Sequence, residues 1–378
     1  MSIIIGADLV PTESNVELFI TGNIERLFGK SLLGLLTNAD YRIFNLEVPF
    51  SKEKSPIKKC GPALCAPIDS INSYKMLNID MLTLGNNHIM DQGEKGFKTT
   101  IELLRNANIQ VIGAGCDIKE ASIPRIISFH GKKIGIYACC EHEFSIGTDD
   151  KAGANPYDPF LSNKHISKLK KECEYLIVLY HGGKEHYRYP TPQLQIAARN
   201  MVDSGADLII CQHSHCVGCY ENYNNSIIVY GQGNFLFDQS VNECWETGIL
   251  ISLDENLRIT YIPIVKKDNT VRLANDSDSA DILNGFFSRT QEIQIEGFVE
   301  RKYSEFCETM ISFYLLKFAG INKDSLLFRA INKLTRYRYE QWLIDRRYSE
   351  KKYLEILNYI ECEAHREVII NALSKYRE

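Results

Sequence analysis

Tyr175-Leu176-Ile177-Val178-Leu179-Tyr180-His181-Gly182-Gly183 opens as an apolar run of buried-strand length and delivers His181 at its C-terminal end. A helical segment follows Pro190 and Pro192, carrying apolar Leu194, Ala197, Ala198, Met201 and Val202, and Ser204-Gly205 closes it. A second apolar run, Asp207 to Cys211, then delivers His213-Ser214-His215. Two strands joined by a helical crossover form a parallel pair. Open α/β sheets collect ligands beyond the carboxyl ends of such strands, so three histidines leaving adjacent strand ends read as a metal site. A lone histidine is more often a hydrogen-bonded structural residue. His-x-His is a sharper signal, because residues two apart in an extended segment face the same side. Their neutral nitrogens suit a transition-metal ion there.

At 378 residues the chain exceeds the usual size of one core, which points to one large domain with an addition. Its hydrophobic (44%) and charged (24%) fractions are those of an ordinary globular protein. A net charge of −5 gives no reason to expect nucleic acid or an anionic membrane as partner. No apolar run approaches the ~20 residues that span a bilayer, so stable membrane insertion is not expected. Met1-Ser2-Ile3-Ile4-Ile5 lacks a basic n-region and reads as a first strand rather than an export signal. The twelve scattered cysteines then read as free thiols in a reducing cytoplasm. Cys216-Val217-Gly218-Cys219 has C-x-x-C spacing, but without a second pair at zinc-ribbon distance it reads as buried small residues.

Other chemistry-bearing residues also follow apolar runs. Residues 3–7 end at Asp8, which is either a site residue or a turn or helix-cap aspartate. Tyr41 to Leu46 is a second strand, delivering Asn45 and Glu47, and Glu47 is again a ligand or a turn residue. Asp80 to Leu84 is a third, followed at once by Gly85-Asn86-Asn87-His88 and then Asp91-Gln92-Gly93. The lysine- and proline-rich loop from Ser51 to Pro67 is a solvated excursion or, as favoured here, an anion-binding lid carrying Lys58 and Lys59. Ile123 to Ser128 and Lys133 to Ala138 read as a hairpin. Glu141-His142-Glu143 after it suits a site or a surface turn equally. From Asp276 onward the pattern is helical, with long periodic stretches from Leu326 to Leu343 and from Tyr353 to Leu373. Arg336-Tyr337-Arg338-Tyr339 reads as a solvated helix face with packed tyrosines rather than a polyanion site. The expected domains are residues 1–275 and a helical extension, 276–378.

Asp8, Glu47, Asn87, His88, His181, His213 and His215 make a mixed carboxylate, amide and imidazole set. It suits Mn, Fe, Zn or Co better than calcium. Two such ions about 3.5–4 Å apart, bridged by a carboxylate, hold a hydroxide for in-line attack on phosphorus. In this order the residues resemble the calcineurin-like metallophosphoesterase superfamily, and more closely its capsule-synthesis (CapA, poly-γ-glutamate) family. The segments that carry the resemblance are Gly6-Ala7-Asp8, Asn45-Leu46-Glu47-Val48-Pro49 and Asn86-Asn87-His88-Ile89-Met90-Asp91-Gln92-Gly93. They continue with His181-Gly182-Gly183-Lys184-Glu185, Gly205-Ala206-Asp207, His213-Ser214-His215 and Tyr230-Gly231-Gln232-Gly233-Asn234-Phe235.

The resemblance covers about residues 3–265 and implies a four-layer α/β/β/α sandwich with a C-terminal helical appendage outside it. It implies that Glu47 bridges two divalent metal ions, with Asn87, His181 and His213 completing one site and Asp8 and His215 the other. His88 would contact the scissile group and protonate the leaving oxygen, oriented by Asp91. Lys59, Glu185 and Asn234 would bind substrate. Two positions depart from the superfamily pattern: Val10 stands where Asp-x-His places an imidazole, and Glu47 replaces the bridging Asp. The first departure implies weaker occupancy of the Asp8 site, so one or two ions per chain are expected.

The function implied is a metal-dependent hydrolase of capsule or poly-γ-glutamate biosynthesis, acting on an anionic phosphoester or γ-glutamyl substrate, small or polymeric. Two rivals stand beside it: a general phosphodiesterase or phosphatase unrelated to capsules, and a non-catalytic, metal-containing polymer-binding or scaffold protein. The C-terminal helices offer a surface for homo-oligomer formation.

Overall fold

Ile3 and Ile5 of strand Ser2–Asp8 face one side of a sheet and Ile4 the other, as the two-residue period of a strand requires. That alternation sets up the layers. The computed structural model describes residues 2–237 and 242–377. The first sheet runs Thr270–Leu273, Ile259–Lys267, Thr247–Asp254, Ser2–Asp8, Tyr41–Asn45, Met81–Thr83, Gln110–Ile112. Its last four strands are mutually parallel and the other pairings antiparallel. The second sheet runs Tyr220–Tyr223, Ser226–Val229, Leu208–Gln212, Tyr175–His181, Lys132–Cys140, Arg125–Phe129, with four parallel central strands and an antiparallel strand at each edge. The expected parallel pair, Tyr175–His181 with Leu208–Gln212, and the expected hairpin are both present.

The sheets pack face to face through one apolar layer. Ile3, Ile5, Ile43 and Met81 come from the first and Ile134, Ile136, Ile177, Leu179, Leu208 and Ile210 from the second. On the outer face of the first sheet, Ile4, Phe44 and Leu82 lie under Leu27, Phe28 and Leu32 of helix Ile24–Thr37 and Phe97 and Leu104 of helix Gly93–Asn106. The outer face of the second is covered by helices Leu161–Lys170 and Pro192–Asp203, which bury Ile166, Leu169, Ala198 and Met201. The result is an α/β/β/α sandwich. Close to its site edge the sheets are stitched by amides: Gln212 Nε2 donates to the Gly6 carbonyl (3.2 Å) and Gln232 Nε2 to that of Ile5 (3.0 Å).

Compact units fall at Met1–Glu296 and Gly297–Glu378, about twenty residues beyond the boundary expected at 275/276. The reason is helix Asp276–Glu292. Phe286 buries itself among Tyr220 and Tyr261 (ring centroids 5.5 and 4.9 Å), and Arg289 donates to the carbonyls of Gly218 and Val217. The second unit holds helices Phe298–Phe318, Leu326–Leu334, Arg338–Arg347, Glu350–Glu361 and Glu363–Ser374, with a small core of Leu315, Leu316, Phe328 and Ile344. Each of the two long periodic stretches is broken in two. Arg336 and Tyr337 take positive φ (51° and 66°), and Cys362 is extended (φ −73°, ψ 114°). No helix among the described residues is long and apolar enough to cross a membrane.

Candidate metal centre

The carboxyl ends of parallel strands from both sheets meet at one edge. Asp8 is in register with Asn45, and His181 with Gln212 on one side and Cys140 on the other. The residues just beyond these positions therefore leave from neighbouring points. His181 is the centre of contact: its Nε2 lies 3.3 Å from Glu47 Oε1, 3.1 Å from Asn87 Oδ1 and 3.1 Å from His213 Nδ1. Asn45 Nδ2 donates to Asp8 Oδ1 (2.6 Å) and lies 3.2 Å from His181 Nδ1. His215 Nδ1 stands 2.7 Å from Asn234 Oδ1 and 3.4 Å from Asp8 Oδ2. Two groups of potential ligand atoms result, Glu47–His181–His213 and Asp8–Glu47–His215, each within 4.8 Å and sharing Glu47.

Glu47 is fully buried, yet among the described residues neither of its oxygens has a hydrogen-bond partner, and Asp8 Oδ2 is likewise unpartnered. Buried polar atoms are rarely left this way. Buried carboxylate oxygens that face imidazole nitrogens fit a divalent cation, so the donor set matches the metal its chemistry suggests. Burial opposes ionisation of Glu47, but His181, with His215 and His88 behind it, holds the carboxyl well below the usual carboxylate range. The same exchange raises His215 against its own burial, through Asp8 and Glu47.

The His-x-His segment is not extended, contrary to what its spacing predicts. It lies past the last strand residue, Gln212, and both histidines are left-handed (φ 80° and 53°). The rings nonetheless meet, centroids 5.8 Å apart. Two left-handed non-glycine residues cost about 1–3 kcal/mol each and persist where surrounding structure over-determines them.

His88, Asp91 and Lys59 form a second cluster at the rim. His88 Nδ1 lies 2.6 Å from Asp91 Oδ2, and its Nε2 points toward Glu47 Oε1 at 4.0 Å. Lys59 reaches in from the loop, 2.5 Å from Asp91 Oδ1, 3.2 Å from His88 Nδ1 and over the Phe144 ring at 4.8 Å. Its side chain is only 2% exposed, so the ammonium is taken up by Asp91 rather than held out to solvent. The loop is laced to the same corner: Ser55 N donates to Gln92 Oε1, Ile57 N to the Asp91 carbonyl and Leu64 N to Asp91 Oδ2.

Asp8, Glu47, Asn87, His88, Asp91, Lys59, His181, His213, His215 and Asn234 come together at this edge, and the Glu185 carboxylate groups with His213 and His215. Three contributors were not singled out. Glu141, left between site and surface turn, has Oε1 at 3.3 Å from His213 Nε2 and accepts from Gly183 N at 3.1 Å. Trp245 stacks on His215 at 4.7 Å. Lys266 donates to the Asn234 carbonyl at 3.4 Å, and burial lowers its pKa to about 7. Strand ends with polar residues were the available signal for Glu141; nothing local marks the other two.

His213 supports a pH prediction. Burial opposes its charge, but Glu141, with Glu47 and Glu185 beyond, raises its pKa to about 9. In metal-stripped protein the imidazolium adds stability that is complete below the unfolded value of about 6.5 and disappears as pH climbs through 9. The stability gap between stripped wild type and stripped His213→Asn is expected to close over that window. Taking the difference cancels Lys266, whose lowered pKa acts with the opposite sign. A gap that stays constant in urea titrations across the window removes the Glu141–His213 pairing as its source.

A sequence profile described as "Bacterial capsule synthesis protein PGA_cap" matches residues 12–239. Over 213 residues the chain is 30% identical to "Capsule biosynthesis protein CapA" of Bacillus anthracis, covering 54% of this chain and 52% of that protein. Over 207 residues it is 30% identical to "PGA biosynthesis protein CapA" of Bacillus subtilis strain 168, covering 53% and 54%. The chain thus spans about half the length of the curated relatives it matches. Among solved structures, a phosphatase from Mycoplasma pneumoniae superposes with a TM-score of 0.43 at 16% identity, covering 71% of this chain and 95% of that one.

Proposed function

The chain belongs to the bacterial capsule synthesis protein family PGA_cap, and from that premise we propose that it is a metal-dependent hydrolase of capsule polymer synthesis. Its substrate would be an anionic phosphoester or γ-glutamyl compound. The single observation that carries this reading is Glu47, a fully buried carboxylate with two unpartnered oxygens, shared by two groups of potential ligands. His181, His213 and Asn87 would hold one ion with Glu47, and Asp8 and His215 a second. Bound divalent ions there supply Lewis acidity and an activated water.

The chain's own groups do the rest. Glu141 braces His213 and Asn234 braces His215, which orients the imidazoles toward the shared carboxylate. His88 faces the cavity through Nε2 and donates a proton to the leaving oxygen, while Asp91 holds its other nitrogen. Lys59 occupies the second Asp91 oxygen and fastens the loop beside the cavity. Asn234 Nδ2, buried without a hydrogen-bond partner among the described residues, is a donor for substrate. Twelve free thiols support a cytoplasmic location. Exposed Leu354, Ile360, Ile370 and Leu373 support self-association through the C-terminal helices.

The test is elemental analysis of protein purified without chelator, followed by Mn-supplemented assays on aryl phosphate monoesters, phosphodiesters and γ-glutamyl peptides. Bound divalent metal with turnover of phosphodiesters or γ-glutamyl peptides is expected. Turnover of simple aryl phosphates alone points instead to a general phosphatase, and bound metal without any turnover to a polymer-binding scaffold. Absence of both metal and turnover overturns the reading.

A further inference from the structure

We propose that Glu185 is a metal ligand, closing the solvent side of the half-site formed by Asp8 and His215. The proposal rests on the metal-centre reading above. Glu185, His213 and His215 offer ligand atoms that all lie within 4.8 Å of one another. His213 and His215 each already belong to one of the two deeper groups. The three groups therefore overlap, with Asp8 and Glu47 buried and Glu185 on the exposed side.

The backbone leaves Glu185 little room to be elsewhere. Strand Tyr175–His181 ends in Gly182-Gly183, and Gly183 takes φ 124°, a conformation that glycine adopts without strain. Gly183 N is tied to Glu141 Oε2 at 3.1 Å. Three residues later His186 N is tied to the Ser214 carbonyl at 2.9 Å, between the two ligating histidines. The His186 ring accepts from Trp245 Nε1 at 2.9 Å, and Trp245 in turn stacks on His215. A chain pinned before residue 185 to Glu141, itself against His213, and after it to Ser214 presents the Glu185 carboxylate beside both histidines.

Donor supply gives the same answer. Asp8, His215 and a shared Glu47 are three donors for an ion that, when bound by oxygen and nitrogen, takes four to six. The strand end offers no more, because Val10 is apolar and 1% exposed. Glu185 is the carboxylate within reach of His215 that the deeper groups do not use.

The experiment titrates metal-stripped full-length wild type and Glu185→Gln with Mn²⁺, reading stoichiometry and affinity by equilibrium dialysis and spin coupling by EPR. Glu185 is exposed and Gln is isosteric, so the stripped proteins are expected to melt together. Wild type is expected to bind two ions with a coupled EPR signal. In Glu185→Gln the first ion keeps its affinity, while the second weakens by about 10–100-fold, the range seen for groups that support a metal site, and the coupled signal fades. Two ions at wild-type affinity in the variant overturn the proposal even if KM rises, and return Glu185 to a substrate contact. A single wild-type ion unaffected by the substitution overturns it as well. Wild type that binds no Mn²⁺ defeats the metal-centre reading itself, a different failure.

Discussion

Glu47→Gln is expected to release both ions and abolish hydrolysis while leaving the fold intact. The side chain is fully buried, its oxygens lack hydrogen-bond partners, and both deeper ligand groups draw on it. Glutamine keeps the shape and removes the charge, so each ion loses its shared anionic donor. A loss of several kcal/mol per site corresponds to about 10³-fold or more in affinity and in turnover. Without metal, burial opposes the Glu47 charge but His181, with His215 and His88 behind it, outweighs that and holds the carboxyl ionised, so stripped Glu47→Gln is expected to melt below stripped wild type, having lost that pairing. Added Mn²⁺ then raises the Tm of wild type alone, because only a state that binds the ion is stabilised by it. Calorimetry with and without Mn²⁺ reads both effects. An equal metal-dependent shift in the two proteins would remove Glu47 from the centre.

The second large effect belongs to His88. His88→Ala is expected to retain its metal content and lose about 10²–10⁴-fold in kcat, the range for a positioned general acid. The loss should depend on the leaving group. An alkyl ester leaves as a strongly basic alkoxide and needs the proton, whereas a nitrophenolate does not, so alkyl substrates are expected to suffer most. Asp91→Asn keeps the ring's neighbour in place but removes the carboxylate 2.6 Å from Nδ1, and is expected to reproduce part of the loss with the same leaving-group bias. Equal losses on aryl and alkyl substrates would instead assign His88 to ground-state binding, and loss of metal would assign it to the ion.

Much of this site is written along the chain because strand ends are legible. The alternation of Ile3, Ile4 and Ile5, the apolar runs before His181 and His213, and the polar residue at each C-terminal end follow from a two-residue period and parallel topology. The period is local, and the parallel pairing, though made between distant residues, is announced by strand–helix–strand order. Asp8, Glu47, Asn87, His88, His181, His213 and His215 could therefore be named as strand-end residues from order alone, whereas the sandwich that assembles them was implied by the family resemblance.

Tertiary structure decided what periodicity leaves open. Helix Asp276–Glu292 has an apolar face that any surface could cover, and only the ring contacts of Phe286 assign it to the first unit. The breaks at Arg336-Tyr337 and Cys362 carry no glycine or proline to announce them. Glu141, Trp245 and Lys266 reach the cavity from three separate strands or turns, and the burial that shifts Lys266 and the carboxylates that raise His213 exist only once those elements are packed. A strand's period is local and survives in the sequence, whereas electrostatic coupling between side chains depends on distances of a few ångströms that folding alone creates.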